Sequence, residues 1–204
     1  MPKIGTTYLD RIRSAIIGDH FVKDAVRVAA GIGVVRPNTL IGIVTATKRA
    51  NVVRRCQMAS IATKTITLKT AGDYLKFKVG DPVKSIQYIT TEYTDKGDKV
   101  FSLTETKICD LGNVTVIDAG TNKITFDGTI PNPAIANNDI IYVADGSEKA
   151  VGITVSEINT NDDTWDDNVS FVWHGFVNKN LVKNYDAIAA ADLKFIQFVD
   201  KEVA

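Results

Sequence analysis

Stretch after stretch of this chain alternates apolar with polar residues, as in Thr65-Ile66-Thr67-Leu68-Lys69, Tyr74-Leu75-Lys76-Phe77-Lys78-Val79 and Lys123-Ile124-Thr125-Phe126. Successive side chains of an extended strand point to opposite faces, so this period of two gives one apolar and one wet face. A helix would instead need apolar residues every three or four positions. The chain also carries 22 Val, 22 Ile and 21 Thr. These β-branched residues lose rotamer freedom in helices and suit a pleated, half-buried surface. The expected class is mainly β, a β-rich α+β chain with short helices near both termini.

Turn residues divide the strands. Arg36-Pro37-Asn38, Gly80-Asp81-Pro82, Asp118-Ala119-Gly120-Thr121-Asn122 and Ala144-Asp145-Gly146-Ser147 each combine glycine, proline or short polar side chains between apolar runs. Strands are expected from Phe21, at Leu40–Thr45, Asn51–Arg55, Thr65–Lys69, Tyr74–Val79, Ser85–Tyr93, Val100–Ile108, Val114–Ile117, Lys123–Phe126, Ile140–Val143, Ala150–Ile158, Val169–Val177 and Phe195–Val199, with Ser60–Thr63 as a link. Two segments read as helix. Thr7 caps a run in which Leu9, Ile12 and Ile16 recur at helical spacing until Gly18 stops it, and Tyr185–Leu193 is rich in alanine. The first is about three turns long, marginal by itself in water, and so needs a surface to pack on. The domain reading is an N-terminal arm at 1–20, a core made of 21–64 with 146–204, and an inserted hairpin or barrel-like subdomain at 65–145. Within the insertion, Asn138-Asp139 leads into its strand as Gly80-Asp81 leads into another, a short supersecondary echo.

Composition removes several function classes. With 24 basic and 24 acidic residues the formal charge is zero, so the overall balance advertises no nucleic acid. Apolar runs such as Gly31–Val35 fall far short of the roughly 18–20 residues of a membrane span. Residues 1–20 lack the pattern of a secretory signal, and the expectation is a chain that stays in the cytosol that made it. In that compartment Cys56 and Cys109 are expected to be reduced, and no C-x-x-C spacing points to redox or metal work.

The remaining constellations are weak as chemistry. His20 and His174, the two histidines, lie far apart, and nothing in the sequence pairs them for metal or acid–base work. Asn159, Asn161, Asp162, Asp163, Asp166 and Asp167 have the composition of a calcium loop, but Thr164 stands where an EF-hand needs glycine and Ser170 where it needs glutamate. Lys48, Arg49, Arg54 and Arg55 form a local basic cluster, suited to an acidic surface or phosphate and more simply read as a solvated hairpin face. Gly31-Ile32-Gly33 has no third glycine and is followed by Pro37, so it is no nucleotide loop. No catalytic residue and no cofactor is expected. Phe171 and Trp173 share one face of a strand and Phe176 takes the other, so one aromatic set fills the core while the other meets a neighbouring subunit.

Several pieces, in order, resemble the lambda-type head decoration proteins of tailed phages, in particular longer members with an internal β insertion. They are Pro37-Asn38-Thr39-Leu40-Ile41-Gly42-Ile43-Val44-Thr45-Ala46-Thr47, Phe77-Lys78-Val79-Gly80-Asp81-Pro82-Val83, Asp118-Ala119-Gly120-Thr121-Asn122-Lys123-Ile124-Thr125, and Tyr142–Ser147 running into Ala150-Val151-Gly152-Ile153. Val172-Trp173-His174-Gly175-Phe176-Val177-Asn178 and Asp186–Lys194 complete the set. The specificity lies in their order and spacing, from about Phe21 to the end.

The resemblance implies a small decoration-type β core, a homotrimer, and binding to the major capsid protein at threefold or quasi-threefold points on the outer surface of the virion after assembly in the host cytoplasm. It implies no enzyme activity, nucleic acid or membrane. The capsid-binding arm would use Ile4, Tyr8, Leu9, Ile12, Arg13 and Ile16, and the subunit interface Phe171, Trp173 and Phe176. The capped helix before residue 20 departs from the family's often irregular arm. Two other readings remain: another virion role, such as a head-fibre base or tail-tube-like subunit, and a carbohydrate-binding module built on the acidic loop and Trp165.

Overall fold

The structure, a computed structural model, describes residues 16–30, 32–95, 98–130, 139–160 and 168–200, with backbone alone at 16–21, 88–95, 98–107 and 187. The chain is mainly β and divides into two units, Met1–Val53 with Lys149–Ala204, and Arg54–Glu148.

The first unit is built on one sheet. Its strands are β1 (Ile16–Arg27), β3 (Leu40–Ile43), β4 (Ala50–Val52), β11 (Gly152–Thr154), β13 (Asn168–Asn178) and β14 (Ile196–Val199), while β2 (Val34–Val35) pairs separately with β12 (Ile158–Asn159). The order is β1-β13-β11-β3-β4, antiparallel, with β14 added parallel to β13. Neighbours in sequence face opposite ways, as a pleat requires. Leu40 packs with Val53, Ile153, Val177, Val182, Ala189, Leu193 and Ile196, whereas Ile41 packs with Val28, Val35, Ala50, Ile158, Val169 and Phe171. The one described α-helix, α1 (Ala187–Asp192), covers the first of these faces. Asp186 caps it by accepting from the Ala189 N–H at 2.9 Å, and Asp192 Oδ2 accepts from the Ala150 N–H at 2.9 Å.

The second unit is a closed antiparallel barrel. Around it run β10 (Ile140–Val143), β5 (Arg55–Ala62), β6 (Thr65–Leu68), β9 (Lys123–Phe126), β8 (Asp98–Asp118) and β7 (Pro82–Asp95), and β7 closes on β10. Strands β6, β9 and β10 each alternate half-buried and buried residues. The buried set fills the interior, with Met58, Ile66, Leu111, Ile124, Phe126 and Ile141 all below 2% exposed. A barrel of this size leaves room only for side chains. Closure removes the open edges that would invite pairing with other chains. Strand β10 reaches β7 only at Val83–Ile86, and β9 reaches β8 only at Val114–Asp118. Among the described residues the rest of the β7–β8 hairpin is therefore a two-stranded ribbon. Its stretch from Tyr88 to Asp95 is about 27 Å long at ~3.4 Å per residue.

Several expectations change. Gly18 lies inside β1 and does not stop a helix, because Ile16 and Ile17 pair with Val177 and Phe176 and their β-branched side chains favour the sheet. The remainder of the expected N-terminal helix lies outside the described residues. Tyr74–Val79 is not a strand: a 3-10 turn spans Asp73–Lys76 after Gly72 at φ 86°, and Phe77 turns into the barrel core. Ser60–Ala62 belongs to β5, Val114–Ile117 is the end of the 21-residue β8, and Ala150–Ile158 contains three residues of β11 and the start of β12. Asn51–Arg55 is split between the units. The barrel unit thus begins at Arg54, earlier than the expected residue 65, because β5 pairs with β6 and β10.

Candidate interaction surface

Strand β13 changes face part-way along. Trp173 and Val177 would share a face in a regular strand, yet Trp173 packs beside Ile41 and Phe171 whereas Val177 packs beside Leu40 and Leu193. Between them Gly175 sits at φ 139°, a backbone state side-chain-bearing residues rarely adopt, and its N–H donates to the Phe195 carbonyl at 3.1 Å. The opposing strand is irregular at the same point, where the β1 register slips between Ile17 and Val22.

This break brings aromatic residues to the surface. Leu193 and Ile196 are both buried, so the segment between them is anchored at each end and Phe195 is turned outward, 66% exposed. Phe176 is 44% and Val22 43% exposed. The Trp173 and Phe195 rings meet edge to face with centroids 5.9 Å apart, and His174 lies 6.1 Å from Trp173 and 6.5 Å from Phe195. A groove of about 490 Å³ runs between β13 and β14, lined by His174, Gly175, Phe176, Lys194, Phe195, Ile196 and Gln197. Exposed aromatics grouped around a groove are what interface anchors require, and the groove's two rim groups that can carry charge, His174 and Lys194, are both basic.

The residues expected at a subunit interface therefore divide. Phe171 is buried in its own core, Trp173 is half-buried with one edge on Phe195, and Phe176 faces out. Phe195 and Val22 were missed. The alternation Phe195-Ile196-Gln197-Phe198 was the available signal, since it puts Phe195 and Gln197 on one side and Ile196 on the other. Of the expected arm residues, Ile4, Tyr8, Leu9, Ile12 and Arg13 lie outside the described residues, and Ile16 is the first residue of β1.

The basic cluster does not exist as a solvated face. Lys48 is exposed at φ 57° in the β3–β4 turn, but Arg54 and Arg55 are buried in the barrel unit. Arg54 donates from Nε to the Lys76 carbonyl at 2.6 Å, pairs closely with Asp81, and reaches Asp145 at 3.5 Å. Arg55 donates to the Glu148 carbonyl at 2.7 Å, and Lys76 Nζ to the Arg55 carbonyl at 3.0 Å. These bonds tie the start of the barrel unit to its end.

In the acidic stretch, Asn159 is an exposed residue of β12 and Asn168 begins β13, while Asn161, Asp162, Asp163, Trp165, Asp166 and Asp167 lie outside the described residues. Among the described residues no group of three or more His, Cys, Asp or Glu is placed to hold a metal ion. Cys56 and Cys109 are free and buried, and burial pushes the Cys56 thiol far above its usual range, which suppresses the reactive thiolate. No described helix is long and apolar enough to cross a membrane.

No family model, no curated protein and no solved structure matches this chain.

Proposed function

We propose that this chain is a virion structural protein that decorates and stabilises an expanded phage capsid, without enzymatic activity, binding the major capsid protein as a homotrimer at threefold or quasi-threefold sites. The observation that carries the reading is the exposed Phe176–Phe195 groove. One wall belongs to Val172–Asn178 and the other begins at Lys194, the last residue of Asp186–Lys194, two pieces that resemble decoration proteins in sequence, and continues through Phe195, Ile196 and Gln197 beyond them. A subunit that works by assembly needs such a surface, since buried aromatic anchors carry most of an interface's energy. In this reading Phe176 and Phe195 join one subunit to the next, and the residues before β1 grip capsid protein. Three arms on one trimer act at high effective concentration, so weak single contacts sum to slow dissociation.

The test is sedimentation of the purified chain, alone and with expanded or unexpanded heads of the phage that encodes it. The expected result is a trimer, in solution or on expanded heads, that Phe176→Asp with Phe195→Asp disperses. Removing residues 1–15 should leave the trimer intact and abolish head binding. Deletion must stop there because β1 begins at Ile16. A chain that ignores expanded heads, or that binds them as a monomer, would overturn the reading.

A further inference from the structure

Strand β13 carries two chemically complementary features, one at each end. Its C-terminal half forms the groove, where His174 and Lys194 stand exposed on the rim beside the exposed rings of Phe176 and Phe195. Its N-terminal end receives the acidic stretch 161–167, which holds four aspartates and Trp165 and no basic residue. Both ends of that stretch are fixed to the sheet. The Thr160 N–H and hydroxyl donate to the Gly33 carbonyl at 3.0 and 2.8 Å, and Asn168 pairs with Arg27 of β1.

A subunit cannot fill its own groove with this stretch. Trp165 is three residues before Asn168, which limits its backbone to within ~11 Å of Asn168 at ~3.6 Å per residue. Phe176 lies eight residues after Asn168, about 27 Å along the strand at ~3.4 Å per residue. The shortfall exceeds the length of a tryptophan side chain, so an acidic stretch in the groove must come from another copy.

We infer that the groove receives the acidic stretch of a second copy of this chain, with Trp165 between Phe176 and Phe195 and the aspartates against Lys194 and His174. The inference rests on the self-assembly proposed above and names the segment that fills the groove. Aromatic side chains seated in a pocket act as interface anchors, while charges of opposite sign at the rim steer the encounter and fix its register. Each subunit offers one stretch and one groove, a head-to-tail contact that closes into a ring when the rotation between subunits permits. Three copies suffice for the trimer.

Two variants of the full chain test this by sedimentation velocity. Trp165→Ser with Asp166→Asn and Asp167→Asn removes the occupant, and Phe176→Asp with Phe195→Asp removes the groove. Each alone should be monomeric where the parent is a trimer. Mixed, they should form a dimer and nothing larger, because the pair retains one intact stretch and one intact groove and cannot close a ring. Recovery of association on mixing would also show that both variants fold. Raising salt from about 0.05 to about 0.5 M should weaken the mixed dimer at least tenfold, since screening shortens the reach of the rim charges. Lys194→Glu in the chain with the intact groove should do the same at low salt. As a second readout, Trp165→benzoylphenylalanine, irradiated in a mixture of isotope-labelled and unlabelled chains, should join residue 165 of one chain to the groove of another. A trimer that survives the loss of Trp165 and the aspartates would overturn the inference and leave self-assembly standing, with another occupant in the groove. A mixture that stays monomeric would also overturn it. So would a parent monomeric up to millimolar concentration, whereas the decoration reading would then fail only if trimers are absent from expanded heads as well.

Discussion

Phe171 fills the space that a side chain at residue 152 would need: a β-carbon built on Gly152 falls 2.2 Å from Phe171 Cδ2 and 2.9 Å from the Val172 carbonyl oxygen. Strand β11 can lie against β13 at this point because it presents no side chain. Replacing Gly152 by alanine must push Phe171 off its rotamer or part the two strands, since a backbone carbonyl cannot rotate away. The expected loss is about 1–3 kcal/mol, the usual cost of overpacking a core. Urea denaturation of Gly152→Ala would measure it, and Phe171→Leu in the same chain should recover part by vacating the contact. A Gly152→Ala variant as stable as the parent would show that β11 and β13 are not packed this tightly.

Arg54 yields a second prediction, on the barrel unit. Its side chain is 8% exposed, and its guanidinium faces Asp81 and Asp145, whose side chains are 15% and 21% exposed. Arg54→Ala leaves two carboxylates near each other with their shared counter-charge gone, and removing one partner of a buried ionic cluster costs about 3–5 kcal/mol. Because the chain has two units, the loss should be read locally, as faster amide hydrogen exchange in β5 and β10 with little change in β11 and β13. Uniform acceleration across both units would mean that Arg54 stabilises the whole chain and not the barrel alone.

The two thiols carry a third. Cys56 pairs in register with Ile141, Ile141 with Ser85, and Ser85 with Cys109, so both cysteines belong to one buried tier of the barrel without being neighbours. Burial disfavours the thiolate of Cys56, and the thiolate is the reactive species. Ellman's reagent should therefore titrate no thiol in the native chain and two after denaturation, at the rate of barrel opening. A rapid native reaction of either cysteine would contradict the packing.

The mainly β class was legible because period two and β-branched content act locally, at every strand, and turns such as Asp118–Asn122 carry their own chemistry. What misled was competition decided at a distance. Tyr74–Val79 alternates like a strand, but Phe77 is taken up by the barrel interior and the chain curls at Gly72. Gly18 reads as a helix stop until β13 offers Ile16 and Ile17 a partner. Arg54 and Arg55 looked like surface charge because their partners, Asp81, Asp145 and the Glu148 carbonyl, are distant in sequence. The groove was half legible: Phe176 and the outward side of Phe195 follow from alternation, whereas the break at Gly175 and its pairing with Ile196 depend on β14 docking in parallel, which no local pattern encodes.

The β8–β9 turn makes a prediction about acid. Asp118 Oδ2 accepts from the Thr121 hydroxyl at 2.5 Å, and its Oδ1 accepts from the backbone N–H groups of Gly120 and Thr121 at 3.0 and 3.2 Å. These bonds, led by that of the Thr121 side chain, favour the ionised carboxylate and hold Asp118 below the ordinary aspartate range. Asp127 is lowered in the same way, chiefly by the Asn113 N–H that donates to its Oδ1 at 2.7 Å. A folded value below the unfolded one means that each carboxylate contributes stability above the unfolded value of about 3.9, and that the contribution fades as pH falls through the lower folded value. Both groups are solvent-exposed, so the effect belongs to the local turn and not to the fold as a whole. Carbon-detected NMR titration from neutral pH into acid should find both midpoints below those of an unstructured aspartate. Thr121→Val should raise the Asp118 midpoint toward the ordinary range while leaving that of Asp127 in place. Equal movement of both midpoints would mean that a shared field, and not the hydroxyl hydrogen bond, sets the shift.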